Sequence, residues 1–397
     1  RHQFLIEAAI KLHRYGTPSH RLERVLTDVA TSLGTRGDFL YTPTGLAISL
    51  TDVEGERNAV TVVRRVDAGG VDVDKLIQFD RLLSGVQSKA IGVPEAIGRL
   101  EEIEAAPPLY SNSVLVVACA VASACVAILF RCTLSELVAA FVVGGLVAII
   151  ELTQPRWKAE TGLLEPIAGM AAALASLLIA RFLTSLDDRL VTLAGLIVLI
   201  PGLRFTVAMT ELAVGHLSAG VARLAGSLVS LSTLFVGVAM VWRLMDGLRP
   251  AFVAAMPLGE AWRWIALAIA PISFAIIFRA RVQQWPIISL VAVTGVGINW
   301  LAEPVLGIEI AAFSGALTVG CASNLYARLR DLPALVPLTP GMLILVPGSL
   351  GYRSLTALLE RQVVDGVQYG FTMFMIAVSL VGGLLVSNVV VPPKRIL

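Results

Sequence analysis

Two short runs in this 397-residue chain set a helix breaker and polar groups inside apolar sequence: Pro201-Gly202, followed by Arg204, Thr210 and Glu211, and Pro347-Gly348. Proline lacks an N–H and its ring clashes with the carbonyl four residues back. Each break therefore frees backbone groups, which lipid cannot satisfy and which persist where protein or a wet cavity takes them up. The free N–H groups of a helix start suit a carboxylate. Freed carbonyls, or a carboxylate such as Glu211, suit an ammonium. Two such breaks together are a way to hold a zwitterion, whose two charges both need partners in a dry site.

Ionisable groups inside apolar spans are costly and are functional candidates by default. Glu211 either takes a proton or holds an amino group, or it is solvated at the interface. Arg204 pairs with a substrate carboxylate or with Glu211, or it snorkels to the surface. His216 titrates near neutral pH or is structural. Asn299 and Asn324 bind a zwitterion through their amides, or they tie helices together. Near the amino terminus, Ser19, His20, Glu23 and Asp28 fit a helix cap and first-turn acid, not a hydrolase. The four cysteines form no CxxC pair and lie in or beside apolar runs, where they pack as small apolar residues. No catalytic residues, metal site or cofactor are expected.

The elements around these residues divide the chain. Residues 1–110 carry 28 of the 60 Asp, Glu, Lys and Arg, and the remaining 287 residues carry 32. The first part has the charge of a soluble domain, and the rest, in a chain of mean hydropathy +0.80, has the composition of membrane helices. The first part reads as a small α+β domain. It starts with two helices broken at Gly16-Thr17-Pro18, the second capped by Ser19. Strands follow near Phe39–Tyr41, Leu46–Leu50 and Ala59–Val66, with turns at 42–45 and 52–58. Helices over 72–90 and 93–105 come next, and Pro107-Pro108 closes the domain. Ten apolar spans follow, near 113–131, 135–152, 163–183, 189–203, 217–243, 262–279, 284–302, 307–327, 333–349 and 366–391. The loop 245–261 divides them five and five, into halves 111–245 and 262–397.

The halves resemble each other. The Pro-Gly pairs lie 347 − 201 = 146 residues apart, and at that offset Thr210 falls on Thr356, Leu212 on Leu358, Gly220 on Gly366 and Val221 on Val367. Five spans per half require the second half to be inverted relative to the first, the usual build of secondary transporters. A weak excess of Lys and Arg on its side, and the lack of a signal-peptide pattern, put the amino-terminal domain in the cytoplasm. No basic stripe with interleaved aromatics argues for nucleic acid.

Several stretches then carry a resemblance: FLIEAAIKLHRYGTPSHRLERVL, PTGLAISLTD, DVDKLIQFDRLL, EAIGRLEEIEAAPPLYS, IPGLRFTVAMTELAVGHLSAGVARLAG and LVPGSLGYRSL. In order and spacing they resemble the threonine/serine exporter family. That family is related to fungal pheromone-regulated membrane proteins and to dicarboxylate exporters split over two chains. The resemblance implies export of threonine, serine or similar small polar amino acids across the inner membrane, by proton antiport. Dicarboxylate export is the alternative within transport. A membrane-anchored sensor or hydrolase is the alternative of another class. Family members often carry Asp shortly after the first Pro-Gly; here Thr210-Glu211 stands there, and the acidic role passes to Glu211. The expected partners are the amino-acid substrate and the bilayer, and a homo-oligomer stays open.

Overall fold

The computed structural model describes residues 1–52, 59–66, 69–157, 162–248 and 256–393. The amino-terminal domain opens with α1 (His2–Arg14) and α2 (Ser19–Ser32). An antiparallel sheet follows in the order β1 (Thr35–Thr42), β2 (Gly45–Asp52), β3 (Val60–Arg65). The reversal between β1 and β2 pairs Thr42 with Gly45, as the Thr-Pro-Thr-Gly run requires. The expected turn over 53–58 lies outside the described residues. Helices α3 (Val73–Gln87) and α4 (Val93–Ala105) complete the layer. Alternation along β1 and β2 buries Phe39, Tyr41, Leu46, Ile48 and Leu50 on one face. These side chains share a core with Phe4, Leu12, Leu22, Leu26 and Phe79 of the helices.

The long apolar part contains α5 (Asn112–Leu129), α6 (Leu134–Thr153), α7 (Leu164–Phe182), α8 (Asp188–Gly195), α9 (Gly202–Ala213) and α10 (Leu217–Leu244). It continues with α11 (Glu260–Ile277), α12 (Trp285–Arg330), α13 (Leu335–Leu343), α14 (Gly348–Leu359) and α15 (Val363–Val390). Among the described residues, eight helical segments are long and apolar enough to cross a membrane. The expectation of ten differs at two places. The span near 189–203 is the eight-residue α8 followed by the break at Pro201, too short to cross. The spans near 284–302 and 307–327 run together as α12, 46 residues with one non-helical position, Gly307 (φ 83°, ψ 166°). A Cβ on Gly315 would stand 3.0 Å from the Gly295 carbonyl, so the arms of α12 fold back on each other around Gly307. An apolar run gives no sign of where backbone of positive φ reverses it, except the glycine itself.

Helices here approach through small residues, because lipid supplies no hydrophobic drive between them and close van der Waals contact must. A side chain on Gly237 would fall 2.1 Å from the Pro166 carbonyl of α7, and one on Gly383 would fall 2.4 Å from the Phe313 carbonyl of α12. Gly237 and Gly383 are themselves 383 − 237 = 146 residues apart.

Candidate functional site

The Pro-Gly breaks start matching elements. Helices α9 and α14 are both 12 residues long, begin at Gly202 and Gly348, and follow Pro201 (φ −78°, ψ 37°) and Pro347 (φ −82°, ψ 27°). Their ends match too. Gly220 packs against Leu212 and Gly366 against Leu358, and the turns leading into α10 and α15 carry positive φ at Gly215 and Arg361. The two helix starts meet in space: a Cβ on Gly202 would lie 3.0 Å from the Gly348 Cα, and one on Gly348 3.1 Å from the Gly202 Cα. Pro201, Gly202, Pro347 and Gly348 surround a cavity of only ≈ 10 Å³, walled by Phe205, Leu231 and Met373. That is space for about one water. The breaks form a closed apolar contact, not an open polar pocket.

Glu211, at the far end of α9, is fully buried. Arg223 of α10 grips it in fork fashion, Nε to Oε2 at 2.9 Å and NH2 to Oε1 at 3.1 Å. The Ser19 backbone N–H donates to the same Oε1 at 3.0 Å. Ser19 therefore does not cap α2, as its type suggested. Pro18 is the N-cap residue, no side chain caps the helix, and the carboxylate of Glu211 takes the first N–H from 192 residues away. A buried anion at a positive helix end and beside a guanidinium has both its charge and its hydrogen-bonding capacity satisfied. Arg204, offered above as a partner, is exposed.

Beside this node the rings of His20 and His216 face each other at a tilt of 54°, with centroids 6.2 Å apart, and His216 Nδ1 lies 3.5 Å from Glu23 Oε2. Burial, then the Arg21 charge, push the His20 imidazole down to about 3. Its Nδ1 is buried with no hydrogen-bond partner among the described residues. The domain is held at a second place. Asp72 and Asp74 at the start of α3 meet Arg279 (3.0 Å) and Arg281 (2.5 Å). The Val73 N–H donates to the Phe278 carbonyl at 2.9 Å, and Val73 and Ile77 pack with Ile288 and Val336.

Between these two attachments lies a cavity of ≈ 430 Å³, large enough for a small metabolite. Its floor combines Thr206 and Thr210 of α9 with Asn324 of α12, Thr339 of α13 and Ser387 and Asn388 of α15; its roof is His20, Arg21 and Arg24 of α2. Thr206 and Thr210 each spend the hydroxyl proton on the carbonyl four residues back, at 3.2 and 2.9 Å, which leaves their oxygens as acceptors. Asn324 Nδ2 donates to Asn388 Oδ1 at 3.0 Å and to the Val391 carbonyl at 2.8 Å. No Asp or Glu occurs among the described lining residues.

Of the residues singled out in the sequence, Thr210, Asn324, His216 and His20 share this cavity. Pro201, Gly202, Pro347 and Gly348 form the neighbouring closed contact. Glu211 sits behind the wall, Arg204 faces outward, and Asn299 packs against Gly315 within α12. The cations of α2 went unseen, because a search for costly charge inside apolar spans ignores a charged domain. Their spacing, i and i+3 beside His20, was the available signal.

On the opposite side, Arg189 at the start of α8 reaches Glu360 at the end of α14 at 2.5 Å. No described group of three His, Cys, Asp or Glu is arranged to hold a metal.

A small α+β domain roofing a bundle of long apolar helices, with a cavity between, defines a multi-pass membrane protein. Two family models, both described as threonine/serine exporter, match residues 3–245 and 263–390. The chain belongs to the threonine/serine exporter family. An uncharacterized protein of Schizosaccharomyces pombe is 26% identical over 99% of this chain and 56% of its own length. Pheromone-regulated membrane protein 10 of Eremothecium gossypii is 25% identical over 99% of this chain and 56% of its own. The Yarrowia lipolytica protein of that name is 24% identical over 88% of this chain and 30% of its own. The chain thus spans about half, or less, of the curated relatives it matches. No solved structure matches it.

Proposed function

We propose that the protein is a secondary transporter exporting small polar amino acids of the threonine and serine class, and that the 430 Å³ cavity is its substrate compartment. The observation that carries the reading is that this cavity is lined from both halves of a chain in the threonine/serine exporter family. Acceptor oxygens of Thr206 and Thr210 suit an ammonium and a substrate hydroxyl. They oppose a second carboxylate, which favours an amino acid over a dicarboxylate.

In this reading the halves are inverted repeats of five passes each, with the broken pairs α8–α9 and α13–α14 each making one pass and α12 crossing twice about Gly307. Support comes from the matched α9 and α14, from Gly237 and Gly383 each packed on a backbone carbonyl of a neighbouring helix, and from opposite running directions. Helix α9 ends under the amino-terminal domain at Glu211, whereas α13 begins under it at Val336 and α14 ends on the far side at Glu360. The amino-terminal domain is cytoplasmic, so the compartment lies on the inner side. The Gly202–Gly348 contact and the Arg189–Glu360 pair close the outer side. Export proceeds as one half rocks on the other, opening that contact. Glu211 is the proposed proton carrier: protonation would release Arg223 and the Ser19 N–H together, loosening the roof.

The test is counterflow of labelled threonine in proteoliposomes loaded with threonine, serine or succinate. Exchange with threonine and serine above that with succinate is expected. Exchange with succinate alone would transfer the assignment to dicarboxylates.

A further inference from the structure

We infer that the paired amides of Asn324 and Asn388 are the specificity element of the cavity: together they read the hydroxyl of a hydroxy amino acid. The inference rests on the transporter reading above and names the group that separates threonine and serine from their hydroxyl-free counterparts.

The backbone fixes the orientation of both amides. The Val391 carbonyl can only accept, so the atom that Asn324 turns to it at 2.8 Å is Nδ2. The second proton of that Nδ2 goes to Asn388 at 3.0 Å, which must therefore present Oδ1. Two atoms are left over. Asn388 Nδ2 donates to nothing among the described residues, and Asn324 Oδ1 accepts from nothing among them. Both residues line the cavity. Asn324 is only 2% exposed, yet its Oδ1 is not among the atoms sealed in without a partner. A fixed donor thus stands beside a fixed acceptor. Asn324 Oδ1 repels a carboxylate, and the Asn388 amide protons repel an ammonium. A hydroxyl donates and accepts at once, and it satisfies both. Thr339, also in the lining, has a hydroxyl that rotates to suit either role and so selects nothing. The oxygens of Thr206 and Thr210 remain for the ammonium.

Packing of α12 on α15 brings the two short amides together. Gly320, one turn before Asn324, lies against Ser387: a Cβ there would meet the Ser387 Oγ at 2.1 Å. Arg328 Nε donates to the Pro392 carbonyl at 2.7 Å, which pins the segment that offers Val391. Tying two helices is the other use of an asparagine pair. At the 146-residue offset, however, 324 − 146 = 178 and 388 − 146 = 242, which are Leu178 and Trp242. The matching helices α7 and α10 pack through Gly237 on the Pro166 carbonyl with no amide at either position. The pair therefore marks a difference between the halves, and it falls on the cavity.

The experiment uses the full chain in lipid nanodiscs with labelled L-threonine as probe. Competitors are serine, alanine and L-2-aminobutyrate, which is threonine without its hydroxyl. A site built to hydrogen-bond a substrate hydroxyl rejects the analogue lacking it, because its own polar atoms are left unpaired. In the unmodified protein, aminobutyrate should therefore compete at least about tenfold more weakly than threonine, and alanine more weakly than serine by a similar factor. Asn388→Leu keeps the size of the side chain and removes the donor. It should weaken threonine about tenfold, leave aminobutyrate nearly unchanged and so close the gap. Asn388→Ala is the second variant, and the wild-type comparison stands even if neither variant folds. Equal competition by threonine and aminobutyrate in the unmodified protein overturns the inference and leaves the exporter intact. So does an equal loss of both in Asn388→Leu, the result expected of a helix tie alone. Binding of neither threonine nor serine overturns both the inference and the exporter reading.

Discussion

Replacing Glu211 by alanine is expected to unfasten the amino-terminal domain at its first attachment. The carboxylate is fully buried, and three donors converge on it at 2.9, 3.1 and 3.0 Å. Hydrogen bonds to a charged group contribute about 1.5–3 kcal/mol each, but those values include desolvation that the wild-type pair has already met. Breaking a buried pair by removing one partner costs about 3–5 kcal/mol. Arg223 keeps 16% side-chain exposure, so water relieves part of its loss, and the lower figure, about 3 kcal/mol, applies. Glu211→Gln retains one acceptor for the Ser19 N–H and should cost about half as much. The assay is hydrogen exchange of α2 in nanodiscs. At about 1.4 kcal/mol per factor of ten, protection in the first turn of α2 should fall about 100-fold in the alanine variant. Adding Arg223→Gln to Glu211→Gln should restore part of it, since the guanidinium is no longer stranded. A change of less than about threefold in Glu211→Ala would refute the claim that this carboxylate fastens the domain.

Three further outcomes are expected. His20 is neutral in the folded protein because burial holds it near 3 against an ordinary 6.5, so the unfolded chain binds the extra proton between those values. Stability of the docked domain is therefore full above pH 6.5 and declines as pH falls toward 3; His20→Gln should flatten that slope in thermal melts between pH 7 and pH 4. Gly202→Val places a side chain against the Gly348 backbone and should cut transport at least about tenfold with the protein still inserted, while Gly226→Ala, where a Cβ meets nothing within 4 Å, should not. Asp72→Asn with Asp74→Asn removes two ion pairs whose carboxylates are buried but whose arginine ends stay in solvent, and should loosen α3 by about 1 kcal/mol in exchange measurements, an effect that shrinks in high salt.

The division into a charged domain and an apolar bundle was legible because burial in lipid and burial in water demand different compositions. The seven elements of the amino-terminal domain followed from periodicity and from Gly-Thr-Pro and Thr-Pro-Thr-Gly punctuation. The 146-residue offset was legible at Pro-Gly, and it extends to Gly237 and Gly383. Hidden from the sequence were the long-range partners. Ser19 has the right type to cap α2, but the cap comes from Glu211, and Arg223 rather than the nearer Arg204 takes that carboxylate. Local spacing ranks partners by proximity along the chain, whereas docking of α2 on α9 and α10 brings together groups 192 and 12 residues apart. The cavity escaped for the same reason: each of its walls looks ordinary alone, and only their juxtaposition makes a site.

The central claim is that threonine passes between the two halves in exchange for protons. Its most direct measurement is uptake of labelled threonine into proteoliposomes of the purified protein, with a pH gradient imposed in either direction. The account predicts accumulation above equilibrium when the gradient is acid inside, abolished by an uncoupler and by Gly202→Val. Uptake of neither threonine nor serine, with or without the gradient and in a preparation whose folding is verified, would contradict it.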